Sequence, residues 1–237
     1  MEMMPCHPLL SDARDDARGT ATGEAPEAAD RAEDLRRVAA PGPLPTFGPG
    51  AEAAAAGAWR RELPVLTGTR LTLRELRPDD AAALFAELTT EEVARFISPP
   101  PTSVVGFERF IAWAHQRRAQ GRYACFAVVP EGQTAAVGMF QVHVLDAAQG
   151  IAEWGFALGS AFWGTGLFLH GARLLQRFAF QAMGVQRLEA RACLANGRGT
   201  GALRKVGAVC ERVLRGSFER HGEVLDQALW TIGARRL

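Results

Sequence analysis

Lysine is almost missing from this chain: Lys205 is the only one, against 26 arginines. In a sequence this rich in Ala and Gly, the skew points to GC-rich codons, not to function. Its consequence is still useful. No lysine lies in a glycine loop, so a GxxxxGK[ST] phosphate loop is excluded. Tyrosine is equally scarce, with Tyr123 alone. The four cysteines, Cys6, Cys125, Cys193 and Cys210, form no CxxC pair, and three sit in apolar runs where a free thiol behaves as a small hydrophobe. That pattern predicts reduced thiols and a cytoplasmic setting, not a disulfide frame. His7, His115, His143, His170 and His221 show no metal-ligand spacing and no HExxH occurs, so no metal site is expected. No apolar run approaches the roughly 18 residues of a membrane span. Met1-Glu2-Met3-Met4-Pro5 opens no secretory signal. With a net charge of +1, no nucleic-acid partner is expected, since that affinity comes from many contacts to phosphate.

What is present is the material of one ordinary domain with extra sequence. Of 237 residues, 48% are hydrophobic and 22% charged, near the globular average. Residues 1–62 are rich in Ala, Pro, Gly and acids, and nearly free of aromatic and β-branched residues. They read as a disordered tail, because they bury too little apolar area to offset ordering entropy. Charge divides likewise: residues 1–61 hold 7 Arg against 10 acids, and 62–237 hold 20 basic against 16 acidic groups.

From Leu63 onward the chain has element patterns. Arg70 to Leu76 alternates as a half-buried strand does. Pro78 with Asp79 and Asp80 suits a first helical turn. Thr89-Thr90-Glu91-Glu92 reads as a capping box for a short helix through Phe96. A third helix puts Phe107, Phe110, Ile111 and Ala114 on one face. Strands are predicted over 123–129, 135–144 and 151–158, a helix over 166–183 and a strand over 188–194. A short helix over 200–206 and two strands, 209–218 and 224–232, finish the chain. The order predicts an α+β domain over 63–237 with a mixed, mostly antiparallel sheet flanked by helices.

Three local features carry chemistry. The first is Trp163-Gly164-Thr165-Gly166-Leu167-Phe168, between a strand and a long helix. A helix start leaves amides unpaired at the positive end of its dipole, and glycines let backbone approach a phosphate. It reads either as a pyrophosphate cradle or as an ordinary turn. It is no dinucleotide fingerprint, because the third glycine place holds Leu169. The second feature is Glu153, a carboxylate in the apolar run Ile151-Ala152-Glu153-Trp154-Gly155-Phe156. It is either a proton acceptor beside the turn or a residue on a solvent face. The third is Asn196, either a cap for the helix that follows or an amide partner for a ligand.

Taken in order, these features resemble the GNAT acetyltransferases, and among them the branch that includes the ribosomal-protein N-acetyltransferases (RimJ/RimL-like). The resemblance runs from about Leu66 to Ile232. It is carried by Leu71-Thr72-Leu73-Arg74-Glu75-Leu76-Arg77-Pro78-Asp79-Asp80, Ala152-Glu153-Trp154-Gly155-Phe156, the Trp163–Gly166 turn, Asn196, Leu203-Arg204-Lys205-Val206-Gly207, Gly222 and Asp226.

The resemblance implies acetyl-CoA as co-substrate. It implies that backbone groups of Gly164, Thr165, Gly166, Leu167 and Phe168 hold the diphosphate, with Trp163 opening the loop. Phe156, Ala157 and Leu158 would pair with pantetheine where two strands splay. Glu153 would be the general base, and Asn196 a contact to CoA. The acetyl group would pass directly to an amine through a tetrahedral intermediate, its oxyanion met by backbone N–H groups. The acceptor would be a protein N-terminus or a small-molecule amine, bound between about Pro78–Gln120 and Gly216–Asp226 by a monomer or homodimer. Arg95, Arg117, Arg118 and Arg122 would there meet an acidic substrate or only solvent.

The chain departs from the family at several places. Trp163 and Phe168 replace the Gln or Arg and the Gly or Ala that bound the loop. His170 stands where Glu is common, and Gly199 where a Ser often follows the Asn. Tyr123 lies on another strand, so no Tyr general acid is evident. These departures keep a second reading open, a non-catalytic acyl-CoA-binding sensor or assembly module.

Overall fold

Alternation of the buried Leu71 and Leu73 with Thr72 and Arg74 produces the strand it predicts, and a shorter strand not visible in the sequence precedes it. The protein's structure, a computed structural model, describes residues 57–220 and 222–234. It begins with β1 (Leu66–Thr67) and β2 (Leu71–Glu75). A 3-10 turn at Pro78–Asp80 leads into α1 (Ala81–Leu88), α2 (Glu91–Ala94) and α3 (Val104–Ala119). Then come β3 (Tyr123–Pro130), β4 (Gly138–Asp146), β5 (Ile151–Leu158), α4 (Leu167–Gln181), β6 (Arg187–Cys193), α5 (Gly197–Lys205), β7 (Val209–Arg220) and β8 (Glu223–Gly233). The eight strands form one sheet in the order β1-β2-β3-β4-β5-β6-β8-β7. Every neighbouring pair is antiparallel except β5 with β6. The expected α+β class and mostly antiparallel sheet are what the structure shows.

Helices cover both faces of the sheet. On one, α4 lays Leu175 and Phe178 over Phe126, Phe140 and Trp154. On the other, α1 and α3 set Leu84, Leu88, Phe107 and Ile111 against Tyr123, Cys125 and Ala127. This double cover explains why β3 is buried at all eight positions and reads as a continuous apolar run. Each large side chain so buried contributes about 1.5–3 kcal/mol. α4 comes close to the sheet at Gly171, where an added Cβ would lie 2.5 Å from Phe140. The entry to α1 is fixed by Asp80, 5% exposed. It accepts two hydrogen bonds of 2.7 Å from Arg74 and a third of 2.7 Å from the Arg77 amide.

Two local expectations need amending. Thr90 is the N-cap of α2, but its side chain makes no cap hydrogen bond. The Thr89 hydroxyl donates instead to the Phe85 carbonyl at 2.6 Å, closing α1, so the capping box is not formed. β4, the strand expected over 135–144, starts at Gly138 and not near 135. Most of the expected tail lies outside the described residues, as does His221 of the last turn. The last six residues of that segment, 57–62, are described. Trp59 there is 5% exposed and meets Phe178 edge-on at 6.5 Å, and Arg118 donates to the Arg60 carbonyl at 2.5 Å.

Candidate functional site

The site is organised by the one parallel strand pair. β5 and β6 are in register only at Ile151–Arg187, Ala152–Leu188 and Glu153–Glu189. Beyond these three pairs β5 runs on against β4 alone, as far as Leu158, while β6 runs on against β8. The stretch Trp154–Leu158 therefore offers one backbone edge with no strand against it. Such an edge is a template for an extended, amide-bearing ligand. Phe156, Ala157 and Leu158 lie along it, and the Leu158 carbonyl already accepts from Trp163 Nε1 at 2.9 Å.

The glycine turn closes the mouth of this split. Gly164 has φ 77° and Gly166 φ 88°, the left-handed region that favours glycine. An added Cβ would touch nothing within 4 Å at Gly164, and nothing nearer than 3.5 Å at Gly166. Backbone conformation, not crowding, therefore calls for these glycines. Gly166 is the N-cap of α4, with no side-chain cap and no acidic residue in the first turn. The amides of Gly164, Thr165, Gly166 and Phe168 have no hydrogen-bond partner among the described residues. The Leu167 amide reaches the Thr165 hydroxyl only at 3.5 Å, and that hydroxyl donates to the Phe162 carbonyl at 2.7 Å. Arg70, just before β2, steadies the turn by donating to the Thr165 carbonyl at 2.9 Å.

The two bulky residues in the loop have distinct tasks. Phe168 turns down onto the sheet, its ring 4.4 Å from that of Phe156 and 6.0 Å from that of Phe140. It packs beneath the turn and does not crowd it. Trp163 spans the split, held to β5 through Leu158 and covered by the Arg198 guanidinium at 4.1 Å from the ring centroid. Leu167 is 7% exposed and belongs to the core.

Across the split, Asn196 ends the loop after β6 and caps α5, its Oδ1 accepting from the Gly199 amide at 2.8 Å. Its capping role is thus formed, and its NH2 group keeps two donors. An added Cβ at Gly199 would lie 2.6 Å from that nitrogen. A serine there would require Asn196 to move, which accounts for Gly199 physically.

Glu153 stands at the vertex, in the last residue pair before the strands part. Arg191 Nη1 donates to its Oε1 at 2.7 Å, with the two side chains 21% and 15% exposed for Arg191 and Glu153. It shares its sheet face with His143, its register partner on β4, and with Tyr123, the register partner of His143 on β3. Tyr123 thus belongs to the same face as Glu153, two strands away, which its sequence position concealed. Its hydroxyl donates to Gln141 Oε1. That bond fixes the Gln141 amide so that Nε2 lies 3.0 Å from where a Cβ of Gly155 would be.

Gln141, Arg191 and Arg198 are the site residues that sequence reasoning missed. Alternation of charged and apolar residues in Arg187-Leu188-Glu189-Ala190-Arg191 does signal that Arg191 shares a face with Glu189, but not that it reaches Glu153. No signal marks Arg198. Of the arginines offered for an acidic acceptor, Arg118 is committed: its Nε lies 2.5 Å from Glu75 Oε1. Arg117 and Arg95 lie over Trp113 and Phe96 at 5.7 and 5.1 Å. Among the described residues, no helix is long and apolar enough to cross a membrane.

The split sheet and the glycine-bounded helix start both lie within a stretch of chain that matches a known transferase family. The family model described as "Acetyltransferase (GNAT) domain" matches residues 70–209, more than half of the chain, which therefore belongs to the GNAT acetyltransferase family. A curated relative, the uncharacterized N-acetyltransferase p20 of Bacillus licheniformis, is 24% identical over 164 residues, covering 69% of this chain and 92% of the relative. Two solved structures share the fold. A putative ribosomal-protein-serine acetyltransferase from Vibrio cholerae gives a TM-score of 0.64 at 19% identity, covering 72% of this chain and 97% of that one. RimJ from Mycobacterium smegmatis, in complex with CoA-disulfide, gives 0.66 at 22% identity, covering 73% and 86%.

Proposed function

We propose that this protein transfers an acetyl group from acetyl-CoA to an amine, as a RimJ/RimL-like member of its family, with Glu153 as general base. The observation that carries this reading is the unpaired edge of β5 opening directly onto the unpaired amides of the glycine turn. A pantetheine arm is an extended chain with two amides, and a diphosphate needs converging donors, so both parts of the ligand find matching groups. Bound there, acetyl-CoA supplies an activated acyl thioester.

The chain's own residues do the rest. Amides from Gly164 to Phe168 hold the diphosphate, with the α4 dipole favouring its charge. Backbone groups of Phe156, Ala157 and Leu158 pair with pantetheine, and the Asn196 NH2 donates to it from across the split. Arg191 holds the Glu153 carboxylate in place at 2.7 Å, and that carboxylate accepts a proton from an acceptor amine. Gln141 Nε2 is a donor on the same face for a carbonyl of the acceptor or of the thioester. That arrangement suits an amine carried beside an amide carbonyl, as at a protein N-terminus, and a small-molecule amine fits the same pair. The Vibrio cholerae neighbour named as a ribosomal-protein-serine acetyltransferase favours the protein acceptor.

The test is thiol release from acetyl-CoA by the purified protein with a panel of N-terminal peptides and small amines. A general base contributes roughly 10²–10⁴-fold. Glu153→Gln is expected to lower kcat/KM by at least about 100-fold while CoA affinity holds. If acetyl transfer proceeds in Glu153→Gln at the wild-type rate, Glu153 is not the base. A second reading, a non-catalytic acyl-CoA-binding module, is favoured by Gly199, which puts no hydroxyl where the family often has a Ser. It requires that CoA raise the melting temperature while no amine stimulates thiol release.

A further inference from the structure

Several arginines are matched with acids: Arg74, Arg187, Arg191 and Arg215 on the sheet and Arg118 on α3 each meet a carboxylate. Arg198 does not. It is exposed, no carboxylate lies within ion-pair distance of it among the described residues, and its guanidinium lies over the face of Trp163, 4.1 Å from the ring centroid. Its location is electrostatically unfavourable. Arg198 is the second residue of α5, whose first turn contains no acid, so the cation sits at the positive end of that helix. It also stands over the residue that opens the glycine turn, where α4 presents its own positive end and unpaired amides. Repulsion alone would swing a long exposed side chain into solvent. The indole face holds it instead, and stacking on an aromatic plane leaves the N–H edge of a guanidinium free to bind.

Resting on the acetyl-CoA reading above, we infer that Arg198, presented by Trp163, pairs with the CoA diphosphate and supplies the cation that the glycine turn itself lacks. The loop runs Trp163-Gly164-Thr165-Gly166-Leu167-Phe168 with no charged residue, so its own grip is all backbone. A guanidinium arriving from α5 adds two parallel donors suited to a phosphate. It also closes the mouth of the split from the α5 side, opposite Arg70, which stays engaged with the Thr165 carbonyl. Arg198 is a binding residue in this scheme and touches none of the reacting atoms.

The experiment is titration of wild type and Arg198→Gln with CoA, 3′-dephospho-CoA and pantetheine, at low and moderate salt. The variant is expected to bind CoA and 3′-dephospho-CoA about 10- to 100-fold more weakly, as for a lost charge-assisted hydrogen bond. Pantetheine binding and the melting temperature of the free protein should be unchanged. The salt dependence of CoA binding should flatten in the variant. A loss confined to CoA, with 3′-dephospho-CoA unaffected, overturns the assignment to the diphosphate. Unchanged CoA affinity in Arg198→Gln, with wild type binding normally, overturns the inference and leaves the acetyl-CoA reading intact. A wild-type chain that binds no CoA overturns that reading, and this inference with it.

Discussion

Replacing Gly166 with alanine tests whether the turn's unusual backbone is there for a ligand. Gly166 has φ 88° and ψ −9°, a conformation that costs an L-residue roughly 1–2 kcal/mol. An added Cβ meets no atom closer than 3.5 Å, so conformational strain is the whole cost to the free protein. For a domain of this size, that corresponds to a fall in melting temperature of about 2–8 °C. A ligand feels more. The methyl group lines the surface that a diphosphate must approach, and any relaxation of φ turns an amide away from it. Loss of one charge-assisted hydrogen bond, about 1.5–3 kcal/mol, weakens CoA binding roughly 10- to 100-fold. Gly184 provides the control. It has φ 74°, and an added Cβ there also meets nothing within 4 Å, but it lies beyond the far end of α4. Gly184→Ala should lower the melting temperature by a similar amount and leave CoA affinity alone. Calorimetric titration with CoA, beside thermal unfolding of the free proteins, separates the two effects. If Gly166→Ala and Gly184→Ala lose the same stability and both keep wild-type affinity, the turn is an ordinary strand-to-helix connection.

Two further outcomes follow from packing. Trp59→Ala should cost about 3–5 kcal/mol, read as a lower urea midpoint with an unchanged slope, because the indole is 5% exposed and packs on Phe178; a wild-type midpoint would show that residues 57–62 add nothing to the domain. In a Cys6→Ser background at pH 8, one thiol, the exposed Cys210, should react promptly with a disulfide reagent. Cys125 and Cys193 are buried, and burial pushes both thiols up from their usual range, so they should react only on unfolding; three fast thiols in the native protein would refute this.

Elements with strong periodicity were legible from sequence, and contacts between strands were not. The α3 face of Phe107, Phe110, Ile111 and Ala114 follows from helical spacing, and all but the half-buried Phe110 are buried; the helix expected over 166–183 forms as α4. The two-residue β1 was missed because its burial alternates over too few positions to show a period. The Thr89–Glu92 pattern misled because Thr89 found a nearer acceptor in the α1 carbonyl of Phe85, a competition that a motif does not encode. At the site, the order Glu153, glycine turn, Asn196 was readable, since each is a local signal. The set Tyr123, Gln141 and Arg191 was not, because register across β3, β4, β5 and β6 decides which side chains meet, and register is a property of the whole sheet.

That register also explains why the sheet splits where it does. The last pair of β5 and β6 sets Glu153 directly against Glu189, and like charges opposite one another weaken a strand pair. Each acid is taken by an arginine of β6: Arg191 binds Glu153 at 2.7 Å and Arg187 binds Glu189 at 2.9 Å. Arg187 in turn reaches Glu211 on β7 at 2.6 Å, and this holds the Glu211 carboxyl below its ordinary range. Repulsion at the vertex is thus offset by ion pairs within β6, toward β7 and, through Arg191, back to Glu153 of β5, while no backbone pairing of β5 with β6 continues past Glu153 and Glu189. Beyond the vertex, β6 continues with Ala190 and Ala192, whose small side chains hold little area to pack against β5, while Trp230 and Ala228 of β8 pair with them from the other side. The acid proposed as base is therefore one of the residues at which the parallel pairing ends, so the proposed base and the unpaired edge of β5 arise from one feature of the sequence.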